Sequence, residues 1–466
     1  MTHRRLAMTG IRQRLAACLS ALAREHWAHA TGRSDNLRTA AIFDAEADLL
    51  WRLAPALVAD ELAQATACGD REEARRLGAL RAGLALLAVE GRIARIADEL
   101  AAAPAPPSSP LYPDRLRRAH AAAFELGYES YEAFFTEISG IDLDRLVSLL
   151  APLRREVRER LAALPDPHAN AARRLRAARF DPWFPVDGAA PRAQRIVERD
   201  LGLDLAAGGR LHLDLGSPRA TLRRPFTAAI EVPDEIRLVA RLDAGADAHA
   251  AFFHELGHAL HLAHVDPGLA WEDRWLGDSS VSEGFAALFE GILRERPFAE
   301  RHVGGDAAAY LEHASFVDLW MLARYAAKLD YERELWRALD TAAGDAASCA
   351  AALDRMPDRY VAHLGGATAE PVAPEHALSD LDLHFQAARY LRGWLLAALL
   401  RRSLQADFGE AWFESRRAGH HLREVWACGQ RWDADELARS LGAAGLDPEP
   451  LRAELELRAP LRVETG

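Results

Sequence analysis

Apolar and polar residues follow a helical period over most of this 466-residue chain. In residues 1–103 the apolar positions recur with helical spacing, and many oppositely charged residues stand four positions apart. Prolines concentrate at 104–113, which predicts a linker. Helical periodicity resumes from residue 114 and covers most of the remaining chain. The pattern therefore predicts a mainly α fold, with an N-terminal helical region, a proline-rich linker and a larger region over 114–466.

Strand patterns occur in one part of the chain, at about 210–242. Alternating or β-branched residues occupy 210–215, 226–232 and 236–242, and Pro233-Asp234 forms a turn between the last two. This pattern predicts a small antiparallel sheet directly before a helix at about 247–264. Its edge strand could pair with an extended peptide, or the hairpin could simply brace the helix.

Composition and charge narrow the classes of partner. Half of the residues are hydrophobic, enough for a large core and two lobes. A net charge of −12 argues against nucleic acid, because phosphate binding needs a basic surface. No apolar run is long enough to span a membrane, and the N-terminus lacks a signal-peptide pattern. Four scattered cysteines predict free thiols in a reducing compartment, so we expect a cytoplasmic protein without a membrane partner.

The segment His254-Glu255-Leu256-Gly257-His258 is the strongest chemical signal. Histidines four residues apart lie on one face of a helix, where both rings can reach a single Zn²⁺. Glu255 stands beside them, where it can take a proton from zinc-bound water. The surrounding helix is apolar, and polar groups on such a helix are costly unless they are paired or metal-bound. We therefore predict a zinc hydrolase with one Zn²⁺ per chain.

A third ligand has two candidates. His264 lies about 80° around a continuing helix from His254, so it would point away from the metal. Glu283 lies on a second predicted helix, at about 281–294, and a facing helix can offer a carboxylate. However, Ser280 and Glu283 also match a capping box, in which the glutamate only satisfies a backbone N–H.

The metal motif and its surroundings resemble the M3 family of zinc metallopeptidases, the thimet oligopeptidase and oligopeptidase F group. The similar stretches are Phe253-His254-Glu255-Leu256-Gly257-His258-Ala259-Leu260-His261, the helix pair between Arg118 and Tyr131, and His384-Phe385 followed by Tyr390. The resemblance implies a shortened, two-lobed helical fold with a deep cleft. It also implies that His254, His258 and Glu283 ligate the metal, with Glu290 as a supporting residue. For His261, its place on the helix predicts packing or a supporting hydrogen bond.

The downstream segment departs from the family. Arg392 and Trp394 stand where the family has tyrosines that bind the scissile carbonyl, and Tyr390 is retained. The resemblance implies that His384 and Tyr390 contact the substrate or intermediate, and Arg392 could replace a lost donor. We therefore expect a zinc metallopeptidase acting on short peptides through Glu255 and a zinc-bound water. The alternative is an M3-like zinc protein that binds or processes one specialised peptide, with weak or no general peptidase activity.

Overall fold

Helices form most of the protein, as the periodicity predicted. The computed structural model describes residues 2–103, 105–163, 178–216, 224–368 and 370–458. Its α-helices run over Thr2–Ala30 (α1), Thr39–Asp48 (α2), Ala54–Ala67 (α3), Arg71–Ala102 (α4), Leu111–Glu125 (α5), Tyr131–Ser139 (α6), Leu143–Ala162 (α7), Ala189–Gln194 (α8), Ala246–Ala263 (α9), Trp271–Trp275 (α10), Ser279–Ile292 (α11), Arg296–His302 (α12), Ala307–Thr341 (α13), Ala346–Asp354 (α14), Met356–Tyr360 (α15), Gly366–Thr368 (α16), Gln386–Phe408 (α17), Arg416–Trp426 (α18), Ala434–Ser440 (α19) and Glu449–Arg458 (α20).

Shorter helical turns connect or extend these helices. Wide π-type turns cover Leu49–Leu53, Arg195–Asp200 and Val361–Gly365, and tight 3₁₀ turns cover Asp181–Trp183, Val186–Gly188, Ala207–Gly209, Gly304–Asp306, Pro374–His376, Leu383–Phe385 and Trp412–Glu414. Helix α5 begins at Leu111, inside the predicted linker, so the non-helical stretch ends earlier than the proline pattern suggested. The division of the chain into regions at this linker stays a prediction.

A three-stranded sheet precedes the metal-motif helix, as predicted. Its strands are Leu211–Asp214 (β1), Phe226–Glu231 (β2) and Glu235–Val239 (β3), in the order β1-β3-β2. The β2–β3 pair is antiparallel, but β1 runs parallel to β3, so the sheet is mixed rather than wholly antiparallel. Asp214 and Phe226 are too far apart in sequence for a hairpin turn, and β1 instead lies on the far side of β3.

The N-terminal helices pack on this sheet and on the segment after α9. Ile236 and Leu238 are buried in the core, while Arg237 points to the other face and lies over the Trp27 ring of α1, 4.3 Å from its centroid. Trp27 also donates to Asp214 over 2.6 Å. The N-terminal helical region is therefore joined to the sheet by polar contacts as well as by packing.

Helices α9, α11 and α17 approach one another at backbone contact. A Cβ added at Gly257 of α9 would lie 2.5 Å from the Phe285 carbonyl oxygen of α11. A Cβ added at Gly393 of α17 would lie 2.7 Å from the Glu283 Cβ. The glycine inside the metal motif costs helix propensity, and this close approach is the reason for it. Helix α11 is thus held between the other two.

All four cysteines are free, which agrees with the prediction from their spacing. Among the described residues, no helix combines the length and the apolar character needed to cross a lipid bilayer.

Candidate metal centre

The two motif histidines share one face of α9. Apolar side chains on either side, including Phe253, Leu256 and Leu260, are fully buried and anchor the helix in the core. The remaining face carries His254 and His258, whose rings meet edge to face at 5.0 Å between centroids. A four-residue spacing on an α-helix therefore places both imidazoles on the same side, as the motif predicted.

Glu283 is the third member of a group of side chains that could hold a metal ion. Its Oε2 lies 3.4 Å from His254 Nε2 and 3.5 Å from His258 Nε2, and the three ligand atoms lie within 4.8 Å of one another. This Oε2 is buried and accepts no hydrogen bond from any described residue. A buried, unsatisfied carboxylate oxygen facing two imidazole nitrogens fits a zinc site with three protein ligands and one open position.

The capping-box alternative for Glu283 does not match the structure. Helix α11 begins one residue before Ser280, and its N-cap is Asp278, whose side chain accepts the Ser280 N–H at 2.9 Å. The Glu283 carboxylate instead faces the histidines. It is therefore free of the capping role that the sequence had left open.

The other ring nitrogens of both histidines are already occupied. His254 Nδ1 donates to Glu290 Oε2 over 3.1 Å, and His258 Nδ1 lies 2.7 Å from the Ser282 hydroxyl. Glu290 is held in turn by Arg294 at 2.7 Å. Such partners fix ring orientation and leave Nε2 as the ligand atom. Glu290 thus contacts the ring nitrogen of His254 that does not face Glu283.

Charge at the centre favours ionised carboxylates. Burial alone would raise the pKa of Glu283, but the neighbouring His258 and His254 hold the pKa at about 2. For Glu290, burial is likewise outweighed, here mainly by Arg294, and the pKa is also about 2. Both carboxylates are therefore anionic at neutral pH, as a ligand and its supporting group for a dication must be.

A cavity of about 850 Å³ opens beside the histidines. Glu255 lines it next to His254, and the Glu255 backbone carbonyl accepts a hydrogen bond from the Thr227 hydroxyl of β2 over 2.9 Å. Tyr390 lines the same cavity. Burial, and then the nearby Glu283, raises the pKa of Tyr390, so its hydroxyl stays protonated and able to donate. The structure therefore brings Glu255 and Tyr390 to one cavity, which His254 of the three candidate ligands also lines.

Arg392 points elsewhere, which corrects the oxyanion role predicted for it. Its guanidinium donates to Asp278 and to Asp435, each over 2.9 Å. Both carboxylates are themselves largely buried, so the arginine neutralises Asp278 and, together with the exposed Arg145 at 3.4 Å, Asp435. Arg392 holds the start of α11 and the start of α19 together, and it does not line the cavity.

His384 also differs from its predicted role as a donor to substrate. Its Nε2 lies 2.6 Å from Glu90 Oε1, and its Nδ1 lies 3.0 Å from the Tyr131 hydroxyl. With both ring nitrogens occupied and the side chain buried, no donor remains for a substrate. The sequence could not show this, because both partners lie more than 250 positions away in the chain.

Two further histidines of the metal helix stand outside the ligand set. His261 is fully buried and packs against Phe285 with centroids 4.8 Å apart, and burial lowers its pKa to about 3. It has the packing role, one of the two that the sequence allowed. His264 bonds the Leu260 carbonyl at 2.8 Å and faces Trp426, so it turns away from the ligands as its helical angle predicted.

Four residues that contact the candidate ligands or line the cavity were not identified from the sequence. They are Ser282, Gln386, Tyr325 and Arg224. Ser282 could have been suspected, since it directly precedes the ligand glutamate. Gln386, which donates to Glu283 Oε1 over 3.1 Å, and Tyr325, whose ring lies 5.2 Å from that of Tyr390, are far from the motif in sequence. Only the tertiary fold places them at the site.

Comparison with known proteins supports the fold. No protein family matches the sequence, and no curated protein is recognisably related. Among solved structures, the M32 carboxypeptidase of Deinococcus radiodurans R1 superposes with a TM-score of 0.65 at 18% identity, over 98% of this chain and 99% of that chain. Trypanosoma cruzi metallocarboxypeptidase 1 gives 0.64 at 17% identity over 98% and 99%. Pyrococcus furiosus carboxypeptidase gives 0.60 at 16% identity over 97% and 99%.

These identities are low, so the similarity shows a shared fold. The fold is that of these helical metallocarboxypeptidases, and the predicted mainly α class with a small sheet is confirmed. Membership of the M3 family is not confirmed, because the matching structures named here are described as carboxypeptidases of another family or without a family name.

Proposed function

We propose that this protein is a zinc-dependent peptidase. The observation that carries the proposal is the convergence of His254 Nε2, His258 Nε2 and the unsatisfied Glu283 Oε2 at the edge of a cavity that also contains Glu255. When bound, zinc supplies a Lewis acid and lowers the pKa of water at its open position. His254, His258 and Glu283 would hold it, one ion per chain.

Glu255 is the proposed general base. Its side chain lies in the cavity beside His254, and Thr227 fixes its backbone. It would take a proton from the attacking water and pass it to the leaving amine, as a positioned carboxylate can. Tyr390, protonated at neutral pH, would donate to the carbonyl oxygen as negative charge develops there. Tyr325, against the Tyr390 and Trp394 rings, provides a second phenol in place of the family tyrosines missing from α17.

We further propose that the substrate is a short peptide cleaved at its C-terminal end. Proteins that share the fold are described as carboxypeptidases. The cavity also offers a suitable cation. Arg224 is exposed at its wall, and no carboxylate among the described residues lies within ion-pair distance of its guanidinium. Arginine binds carboxylates well. Lys328 and Arg324, at the same wall, are instead paired with Asp382 and Asp380.

Two other functions compete with this proposal. One is the endopeptidase activity of an oligopeptidase, which the sequence resemblance implied. The other is binding or processing of one specialised peptide. The second is favoured by Trp394, which replaces a family phenol and lines the cavity. In both cases the metal centre would be the same, and the recognition of the peptide ends would differ.

The first experiment joins metal analysis with three peptide sets. Purified protein is assayed for stoichiometric zinc, then incubated with N-blocked peptides that carry either a free C-terminal carboxylate or an amide, and with longer peptides blocked at both ends. Release of the last residue from the free acids alone supports a carboxypeptidase. Internal cleavage of doubly blocked peptides would indicate an endopeptidase, and binding without cleavage a specialised role. Absence of zinc would remove the basis of the proposal.

Two variants test the assigned residues. Glu255→Gln should keep zinc and lose about 10²–10⁴-fold in kcat, whereas the exposed Glu300→Gln serves as its control. Arg224→Gln should reduce the preference for free acid over amide by about tenfold or more, because a charged hydrogen bond to the carboxylate is lost. Arg241→Gln, an exposed arginine paired with Asp243, is its control. An unchanged preference in Arg224→Gln would exclude this arginine as the recognition group.

A further inference from the structure

Two consecutive residues before α17 have left-handed backbones although neither is glycine. His384 has φ 56° and ψ 38°, and Phe385 has φ 45° and ψ 48°. Residues other than glycine rarely adopt this backbone conformation, and it persists only where surrounding contacts hold it in place. Both residues are buried. The turn therefore needs an explanation outside its own sequence.

Hydrogen bonds to the His384 ring hold the turn in this conformation. An ionised carboxylate can only accept, so His384 Nε2 donates to Glu90 Oε1 over 2.6 Å, and the Tyr131 hydroxyl is hydrogen-bonded to Nδ1 over 3.0 Å. Tyr131 is itself fixed by stacking on Trp336, with centroids 3.6 Å apart. Glu90 lies in α4 of the N-terminal helical region. A residue of that region thus helps to hold the turn.

The segment that leads into the turn is held as well. Arg115 donates to the Leu381 carbonyl over 3.1 Å. Lys328, the single lysine of the chain, pairs with Asp382 at 2.6 Å. With both sides constrained, the backbone has little freedom to relax at 384 and 385.

The turn positions a contact to the metal ligand. Gln386 follows it immediately, and its Nε2 donates to Glu283 Oε1 over 3.1 Å. Arg389 donates to Gln386 Oε1 over 3.1 Å and fixes the orientation of the amide. With Oε1 bonded to Gln386, the Oε2 atom of Glu283 is the one that faces the two histidines. The amide therefore fixes the orientation of the carboxylate, with one oxygen directed to Gln386 and the other to the two histidines.

We infer that Glu90 is a positioning residue for the third metal ligand, acting from the N-terminal helical region through His384, the strained turn and Gln386. The inference rests on the proposed metal centre and adds a structural requirement to it. It assigns His384 to metal affinity rather than to contact with substrate. The N-terminal helical region, in this view, completes the metal centre.

Zinc affinity of the full-length protein tests this inference. Competition with a chromophoric chelator is measured for Glu90→Ala, Glu90→Gln, Gln386→Ala and the double variant Glu90→Ala/Gln386→Ala. The absorption spectrum of the cobalt-loaded proteins reports ligand geometry independently of peptide cleavage. Glu125→Ala removes an exposed pair with Arg92 between α4 and α5 and is the matched control. Circular dichroism and thermal unfolding without metal show whether each variant is folded.

We expect Glu90→Ala to weaken zinc binding by about 10- to 100-fold and to change the cobalt spectrum, as loss of an outer partner of a ligand does. Glu90→Gln, which keeps an acceptor for His384, should remain close to the unaltered protein. The double variant should lose no more than the larger single loss, because both residues act through one chain of contacts. Should Glu90→Ala fail to fold, Tyr131→Phe removes the other His384 contact and should give the same type of loss.

Three results with the Glu90, Tyr131 and double variants would overturn the inference. The first is unchanged zinc affinity and cobalt spectrum in Glu90→Ala, or in Tyr131→Phe if that variant replaces it. The second is a loss of zinc affinity in Glu90→Gln as large as that in Glu90→Ala. The third is a loss in the double variant equal to the sum of the two single losses. Absence of zinc from the unaltered protein would instead refute the metal centre itself, so the two failures are distinguishable. A loss in Glu125→Ala equal to that in Glu90→Ala would show a general effect of the region, which also contradicts the inference.

Discussion

Gly257→Ala is the substitution for which the structure gives the clearest magnitude. Glycine at this position, between the two ligand histidines, lets α9 and α11 touch. An added Cβ would lie 2.5 Å from the Phe285 carbonyl oxygen and 2.7 Å from the Ala286 Cα. Cβ atoms essentially never come within 3.0 Å of another heavy atom, and both of these neighbours are backbone atoms that no side-chain rotation can move. The helices must therefore separate by at least about half an ångström.

Two opposing effects set the change in stability. Alanine favours a helix over glycine by about 1 kcal/mol, while overpacking costs about 1–3 kcal/mol. Gly78→Ala in α4 isolates the first effect, because a Cβ there meets nothing within 4 Å. The difference in unfolding free energy between the two variants should therefore be about 1–3 kcal/mol, with Gly257→Ala the less stable.

The same displacement separates Glu283 from both histidines. We expect zinc affinity to fall by about tenfold or more in Gly257→Ala and to stay unchanged in Gly78→Ala. Denaturant unfolding of the metal-free proteins and chelator competition measure the two quantities. If Gly257→Ala were as stable as Gly78→Ala and bound zinc as tightly as the unaltered protein, the proposed helix contact would be wrong.

Three other changes give distinct outcomes. Arg392→Met should destabilise the fold by about 3–5 kcal/mol in thermal or denaturant unfolding, because buried Asp278 loses its cationic partner and Asp435 keeps only the exposed Arg145. A large loss of kcat at unchanged stability would restore the oxyanion role of Arg392. Glu290→Gln should weaken zinc binding by about 10- to 100-fold in chelator competition, since His254 loses its anionic partner, and unaltered affinity would count against the supporting role. Burial lowers the pKa of His249 to about 4, and Arg192 beside it also disfavours the cation, so the unfolded chain takes up the proton first. The free energy of unfolding should therefore be highest above about pH 6.5 and fall by up to about 3 kcal/mol toward pH 4. His249→Gln should flatten this pH dependence when unfolding is measured across the same range. An equally steep curve in that variant would refute the assignment to His249.

The metal ligands could be predicted because their geometry is largely local. A four-residue spacing on one helix determines how His254 and His258 face. Glu283 was chosen by its distance from the motif in a resembling family, and its burial and orientation required the structure. Gly257 carries a comparable local signal, since glycine is unfavourable inside a helix and its presence there indicates a close neighbour.

The surrounding residues could not be predicted, because their roles depend on contacts between distant parts of the chain. From the sequence, Arg392 could replace a missing phenol with a charged donor. In the structure its guanidinium instead donates to Asp278 and Asp435. The resemblance implied that His384 contacts the substrate, yet its Nε2 is hydrogen-bonded to Glu90 of the N-terminal helical region. The mixed sheet could not be predicted for the same reason. The alternating pattern identifies the strands, but it does not show on which side of β3 the strand β1 lies.

The ligand set alone cannot separate an exopeptidase from an endopeptidase, since both need two histidines, a glutamate and a base at one cavity. The distinction must lie in residues that meet the ends of the peptide. In this cavity the paired cations Arg324 and Lys328 have their charge neutralised by neighbouring aspartates. Arg224 forms no ion pair with any described carboxylate and lies at the wall that continues into β2, whose Thr227 contacts the Glu255 backbone. Thr227 of β2 contacts the backbone of the proposed base, and Arg224 lies three residues earlier, just before the strand. This short connection would place a peptide carboxylate bound to Arg224 at a defined distance from the bond to be cleaved.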